Sequence, residues 1–371
     1  MPEVILIGTG PAAISAAAAY RAAGGEGGLR IVGAEAEQPY ARPPLSKDYL
    51  RGEIERHELE LDLEHDAELL LGVPASVLER GHVRLADGRA LECDACLLAT
   101  GSRSMRIPVP GADDPEVLTL RSLVDAERII ERARGSVVVV GSGFIGCEIA
   151  ASLTLRGAAV TLVTDEPTPQ GRRLGDTAGA RIGGWLEELG VRLVLGAKIA
   201  KIERAQRVVL DHGEALVGDV VLLATGSTPH GALAEAYGAP MHDGAVRVDA
   251  AMRADDFLLA AGDVAYARNA AAGRSLRVEH WGEAMRQGQV AGRTLAGVVD
   301  RWDAVPGFWT TIGERTLKYK AWGDGFAETE VVEYPGGGWT VFYRRDSGDL
   351  VGVLSYDRDE DYDRAGEVIV P

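Results

Sequence analysis

The sequence predicts an α/β fold: two parallel-sheet units of one general design, followed by a smaller α+β unit. Three observations carry this. A strand, glycine-rich turn and helix pattern occurs twice. The stretch after Trp302 changes to strand patterns broken by Gly turns. The length of 371 residues gives two or three domains room for separate cores.

The first copy is Val4-Ile5-Leu6-Ile7-Gly8-Thr9-Gly10-Pro11-Ala12-Ala13, running into an Ala-rich helix through about Ala23 and a second strand from Leu29 to Gly33. The second copy is Val137 to Val140, then Gly141-Ser142-Gly143-Phe144-Ile145-Gly146, a helix through about Arg156 and a strand from Ala159 to Val163. Each is a βαβ unit, which requires parallel pairing. Two later segments also match. Cys96 to Ser102 and Val221 to Ser227 both read as buried strands ending in a tight turn, around Ala99-Thr100-Gly101 and Ala224-Thr225-Gly226. His82 to Leu85, Asp87-Gly88 and Arg89 to Leu91 read as a hairpin. In the C-terminal unit, strands are expected over Thr316–Ala321, Glu328–Tyr334, Trp339–Arg344 and Leu350–Ser355. The charged run Asp357–Asp363 reads as the start of a solvated helix.

A glycine-rich turn after a strand lets backbone N–H groups reach a pyrophosphate at a helix N-terminus. In the first copy Gly8 makes the turn, Gly10 permits close approach, and Pro11 and Ala12 open the helix. Ala13 is small enough for tight packing. Glu35, after the second strand, is placed to hold ribose hydroxyls. The second copy keeps Gly141, Gly143 and Gly146, with Phe144 and Ile145 at the helix start. The strand that follows ends in Val163-Thr164-Asp165-Glu166. Asp165 and Glu166 would repel a 2′-phosphate, which favours NADH. Arg172 and Arg173 lie further on and leave NADPH open.

The formal charge of -17 argues against nucleic-acid binding, which needs clustered Lys and Arg. No run of ~18 apolar residues appears, so no membrane span is expected. The N-terminus lacks a secretory pattern, and a cytoplasmic protein is expected. No metal site is expected. Cys93, Cys96 and Cys147 are too few for a disulfide framework. Cys93 and Cys96 have redox-pair spacing but lie at a strand start. Residues three apart in a strand face opposite ways and stand ~10 Å apart, too far to bridge.

Five motifs then occur in one order: Pro39-Tyr40-Ala41-Arg42-Pro43-Pro44-Leu45-Ser46-Lys47, Ala99-Thr100-Gly101, Gly141 to Glu148, Ala261-Gly262-Asp263-Val264-Ala265, and Val278-Glu279-His280-Trp281. Over nearly the whole chain this resembles the ferredoxin-reductase type of FAD-dependent pyridine nucleotide oxidoreductase. That group includes putidaredoxin and rubredoxin reductases and the reductase components of aromatic dioxygenases. The resemblance implies two Rossmann-like domains plus the C-terminal one. The FAD domain would comprise 1–108 and 239–298, the NAD(P) domain 109–238 and the α+β domain 299–371. It implies that Arg42 contacts the adenine side of FAD and that Lys47 sits near flavin N5. Gly262 and Asp263 would meet the ribitol. The helix starting near Glu279, with His280 and Trp281, would face the pyrimidine end. No proton-transfer role is assigned to His280. Glu148, expected in the first turn of its helix, would pair with Lys47. These two are the catalytic candidates. Trp309 would wall the flavin, and Gly226 would close the nicotinamide side.

The sequence departs from the family at Thr164, where relatives often place an acid. It also departs after Phe308-Trp309, where Thr310-Thr311 replaces Ser and an acid. The implied activity is hydride transfer from NADH to FAD, then single electrons to a ferredoxin-type iron–sulfur protein. Ferredoxins are usually acidic, as this chain is, so steering is unfavourable without a local basic patch. Alternatives are an NADH oxidase or reductase of a small acceptor such as a quinone, or a redox-sensing interaction protein resembling apoptosis-inducing factor. Monomer and homodimer both stay open.

Overall fold

The computed structural model describes residues 2–61, 63 and 66–371. The strand Glu3–Ile7 carries four successive apolar residues because both of its faces are covered. It sits in the middle of a five-stranded sheet. On one side lie Gly28–Val32 and Glu68–Leu70; on the other lie Ala95–Leu98 and Leu258–Ala260. All pairings are parallel. The last of these strands comes from beyond the entire second sheet in sequence.

That second sheet repeats the plan. Ser136–Val140 is flanked by Ala159–Val163 and Arg192–Val194 on one side, and by Val220–Leu223 and Leu118–Thr119 on the other. All of its pairings are parallel too. In both sheets the strand order reverses beside the strand that feeds the glycine turn. Open α/β sheets bind ligands at such switch points. Beyond the two matching tight turns, Ser102–Ser104 and Ser227–Pro229 pair antiparallel and join the units.

The helix Pro11–Ala22 packs against Trp281–Leu295. A Cβ at Gly288 or Gly292 would strike the carbonyl of Ala12 or Ala16, so these glycines let the two backbones touch. This close packing brings both helix starts to the same place.

The C-terminal unit is an antiparallel sheet in the order Gly307–Ile312, Arg315–Ala321, Leu350–Tyr356, Trp339–Arg344, Glu328–Glu333. The helix Asp359–Val368 lies against two of these strands. Its first strand is absent from the sequence expectation, which treated Phe308-Trp309 only as a motif. Within it Phe308 and Thr310 are buried and Trp309 is exposed, the alternation of a half-covered strand. Among the described residues, no helix is long and apolar enough to cross a membrane.

Candidate active site

Three helices start at one cavity of about 1860 Å³. Their N-cap residues are Gly10, Gly143 and His280, and none makes a side-chain capping bond among the described residues. An uncapped helix start leaves N–H donors free and carries the positive end of the helix dipole. Three of them on one cavity suit a ligand set with several anionic groups. The third helix begins at Trp281 with His280 as its cap, so Glu279 lies just outside it, paired with Arg277.

Of the residues expected from the sequence to act in catalysis or contact a cofactor, all but Gly141, Gly146 and Asp165 line this cavity. Gly141 and Gly146 shape the turn instead: a Cβ on Gly146 would strike the Gly141 carbonyl. Asp165, expected on the nicotinamide side, does not line the cavity. Its carboxylate is held by Arg172 at 2.7 Å, while the adjacent Glu166 lines the cavity and accepts the Arg172 backbone N–H at 2.8 Å.

At the first-sheet end, Glu35 accepts the Tyr40 hydroxyl at 2.5 Å and Arg42 at 2.6 Å. Burial pushes the Glu35 carboxyl up, but the Arg42 guanidinium, the Tyr40 hydroxyl and Arg121 together more than reverse this and hold it below the usual range. It stays ionised and ready to accept hydroxyls. Asp263 accepts Ser102 Oγ at 2.8 Å and Arg121 at 2.9 Å. No motif marks Arg121. It reaches the site from the turn after Leu118–Thr119.

Where the lining of the two units meets, Lys47 and Glu148 form an ion pair of 2.8 Å, 9% and 4% exposed. Glu148 lies in the second turn of Phe144–Leu155, not the first, because the helix starts immediately after Gly143. Its Oε2 also accepts Ser46 Oγ at 2.5 Å. Its Oε1 accepts Thr310 Oγ1 at 2.6 Å and the Thr311 N–H at 3.4 Å. A charge pair taken out of water persists only when its remaining lone pairs are satisfied, and here both oxygens are.

Residues 2–288 match the family described as pyridine nucleotide-disulphide oxidoreductase. The chain belongs to this family. It is 33% identical over 384 residues to rhodocoxin reductase from Rhodococcus erythropolis, spanning 99% of this chain and 89% of the relative. It is also 33% identical to the ferredoxin–NAD(+) reductase component of an anthranilate 1,2-dioxygenase system from Burkholderia cepacia, over 98% and 93% of the two chains. Among solved structures, the covalent putidaredoxin reductase–putidaredoxin complex superimposes with a TM-score of 0.92 at 29% identity, covering 100% of this chain and 93% of that one.

The cofactors of this oxidoreductase are FAD and NADH. The cavity fits such groups on its own geometry. Besides the three free helix starts, His280 Nδ1 and Ser227 Oγ are buried on its walls without a partner among the described residues. Buried polar atoms ordinarily have one. The oxidoreductase holds Cys93, Cys96 and Cys147 as buried free thiols, and burial pushes the Cys93 thiol up to about 11. Cys93 lies just before the strand Ala95–Leu98.

His280 stacks on Phe308 with ring centroids 4.4 Å apart. Burial pulls its pKa down from 6.5 to about 4, with Asp263 opposing. The unfolded chain therefore takes up this proton at a higher pH than the folded one. Stability contributed by the neutral ring is present above pH 6.5 and is lost as the pH falls towards 4. Wild type should lose more thermal stability between pH 7 and 5 than His280→Gln does. Equal losses would show that the ring does not titrate in this window.

Proposed function

We propose that this oxidoreductase reduces FAD with NADH and passes the electrons singly to a ferredoxin-type iron–sulfur protein. The observation that carries the proposal is one continuous cavity lined by both glycine turns, with Gly10 at one and Gly143 at the other. FAD supplies the chemistry, accepting a hydride and releasing electrons one at a time. The protein supplies position and electrostatics.

In this reading Gly8, Gly10, Pro11 and Ala12 hold the FAD pyrophosphate, Glu35 and Arg42 its adenosine end, and Asp263 its ribitol. Residues 1–108 and 239–298 form the FAD unit and 109–238 the NADH unit. The free start of Trp281–Leu295 would face the pyrimidine end of the ring and would favour negative charge there. Lys47 and Glu148 border the meeting place of the two reactive rings. Glu166 favours a free ribose and so NADH. Residues 299–371 form the third unit, and Trp309, 41% exposed, stands at the cavity mouth.

The partner class is supported by relatives. Pseudomonas putida rubredoxin-NAD(+) reductase and putidaredoxin reductase are 30% and 31% identical to this chain. A cytoplasmic setting goes with the proposal. The test is steady-state turnover of purified holoprotein with NADH and NADPH, against a ferredoxin panel and against quinones. Cytochrome c reduction that requires added ferredoxin and prefers NADH is expected. Full turnover on quinone without ferredoxin would replace the iron–sulfur partner with a small acceptor.

A further inference from the structure

Glu148 is the one carboxylate described above that sits on one unit and takes donors from both of the others. Ser46 and Lys47 come from the first, Glu148 itself sits on the second, and Thr310 comes from the strand Gly307–Ile312 of the third. The donors divide by oxygen. Oε2 takes Lys47 at 2.8 Å and Ser46 at 2.5 Å. Oε1 takes one short bond, from Thr310 at 2.6 Å, and one long one, from the Thr311 N–H at 3.4 Å. Thr310 is 1% exposed.

A carboxylate gripped at one oxygen can still turn about its terminal bond, because that torsion has a broad minimum. A short hydrogen bond to the ionised group at its second oxygen removes that freedom. The Lys47 ammonium follows the carboxylate, since its bond there is the shorter and charge-assisted one at 2.8 Å, against 3.1 Å to the neutral Pro43 carbonyl.

We propose that Thr310 is a positioning residue for FAD reduction: by holding Glu148 Oε1 it fixes the carboxylate plane, and through it the place of the Lys47 ammonium at the reacting rings. The inference rests on the proposed function, because it acts through the Lys47–Glu148 pair. It also gives the C-terminal sheet a share in the hydride step. A small displacement of a positioned group lowers the rate of reaction and leaves the binding of NADH unaltered.

Thr310→Val keeps the shape and removes the hydroxyl; Thr310→Ser keeps the hydroxyl. In anaerobic stopped flow, Thr310→Val should lower the limiting rate of flavin reduction about tenfold, the scale of one lost bond to a buried charge, with the half-saturating NADH concentration unchanged. Thr310→Ser should restore the rate. In a Glu148→Gln background Thr310→Val should have no further effect. In redox-difference infrared spectra, the Glu148 band, identified by its loss in Glu148→Gln, should move in Thr310→Val and stay in Thr310→Ser. If Thr310→Val does not retain FAD, Thr310→Ala takes its place with the same expectations. A wild-type rate without the hydroxyl, a Ser variant as slow as Val, an equal loss in the Gln background, or an unmoved band would each overturn the inference. Those results with normal reduction of wild type by NADH leave the proposed function standing. Wild type that NADH fails to reduce overturns the function itself.

Discussion

Lys47→Met is expected to slow the reduction of FAD by NADH about a hundredfold or more, and to lower the melting temperature as well. The substitution keeps most of the side-chain length but removes the charge that faces Glu148 Oε2 at 2.8 Å. Glu148 would then keep a buried negative charge with no counter-ion. Breaking a buried pair from one side costs ~3–5 kcal/mol. Ser46, Thr310 and the Thr311 N–H remain as donors and offset part of that cost. That cost falls on folding and sets the melting temperature; separately, losing ~3 kcal/mol of transition-state stabilisation at the reacting rings corresponds to the stated rate factor. Stopped-flow bleaching of the flavin absorbance measures the rate, and a thermal melt measures the stability. Unchanged bleaching would remove Lys47 from the proposed reaction.

Gly8→Ala should yield protein that is purified without FAD, or not folded at all. Gly8 has φ +123°, a conformation closed to L side chains. A Cβ there would also overlap the Ala99 carbonyl, which follows the neighbouring strand Ala95–Leu98. That backbone cannot retreat without breaking the parallel pairing of Glu3–Ile7 with Ala95–Leu98 at the centre of the sheet. Strain and overlap together place the expected loss above ~3 kcal/mol. Gly10→Ala is the informative contrast. Its Cβ would meet no protein atom within 4 Å, since the space beside it belongs to the cavity. It should fold normally and hold FAD more weakly. FAD content per chain and circular dichroism distinguish the two. Gly8→Ala with a full complement of FAD would show that the turn relaxes more easily than its geometry implies.

The two βαβ units were legible because their signals are local. An apolar run, a glycine turn and a helix pattern fall within about twenty consecutive residues. The buried donors on Glu148 were not. Thr310 and Glu148 are 162 residues apart, and Ser46 and Glu148 are 102 apart. A lone Ser or Thr carries no spacing that tells a buried donor from a surface hydroxyl. The missed strand Gly307–Ile312 had one available signal, the β-branched run Thr310-Thr311-Ile312 after two aromatic residues. Asp165 shows the opposite limit. Two adjacent acids at a strand end do not reveal which one turns inward, and Arg172, seven residues later, captures the outer one. The position of Glu148 one turn further into its helix follows from where the Gly143 cap ends, a boundary that pattern alone leaves loose.

The three free helix starts bear on how the protein responds to ionic strength. Backbone dipoles attract only at short range, whereas the chain as a whole carries a formal charge of -17. A dinucleotide diffusing in from bulk solvent therefore meets repulsion first and attraction last. Counter-ions in solution shorten the reach of the repulsion, with a Debye length of about 8 Å at physiological concentrations, and barely touch contacts made inside the cavity. Moderate salt should thus hasten the capture of NADH by this chain, where a site built from surface lysines would be slowed.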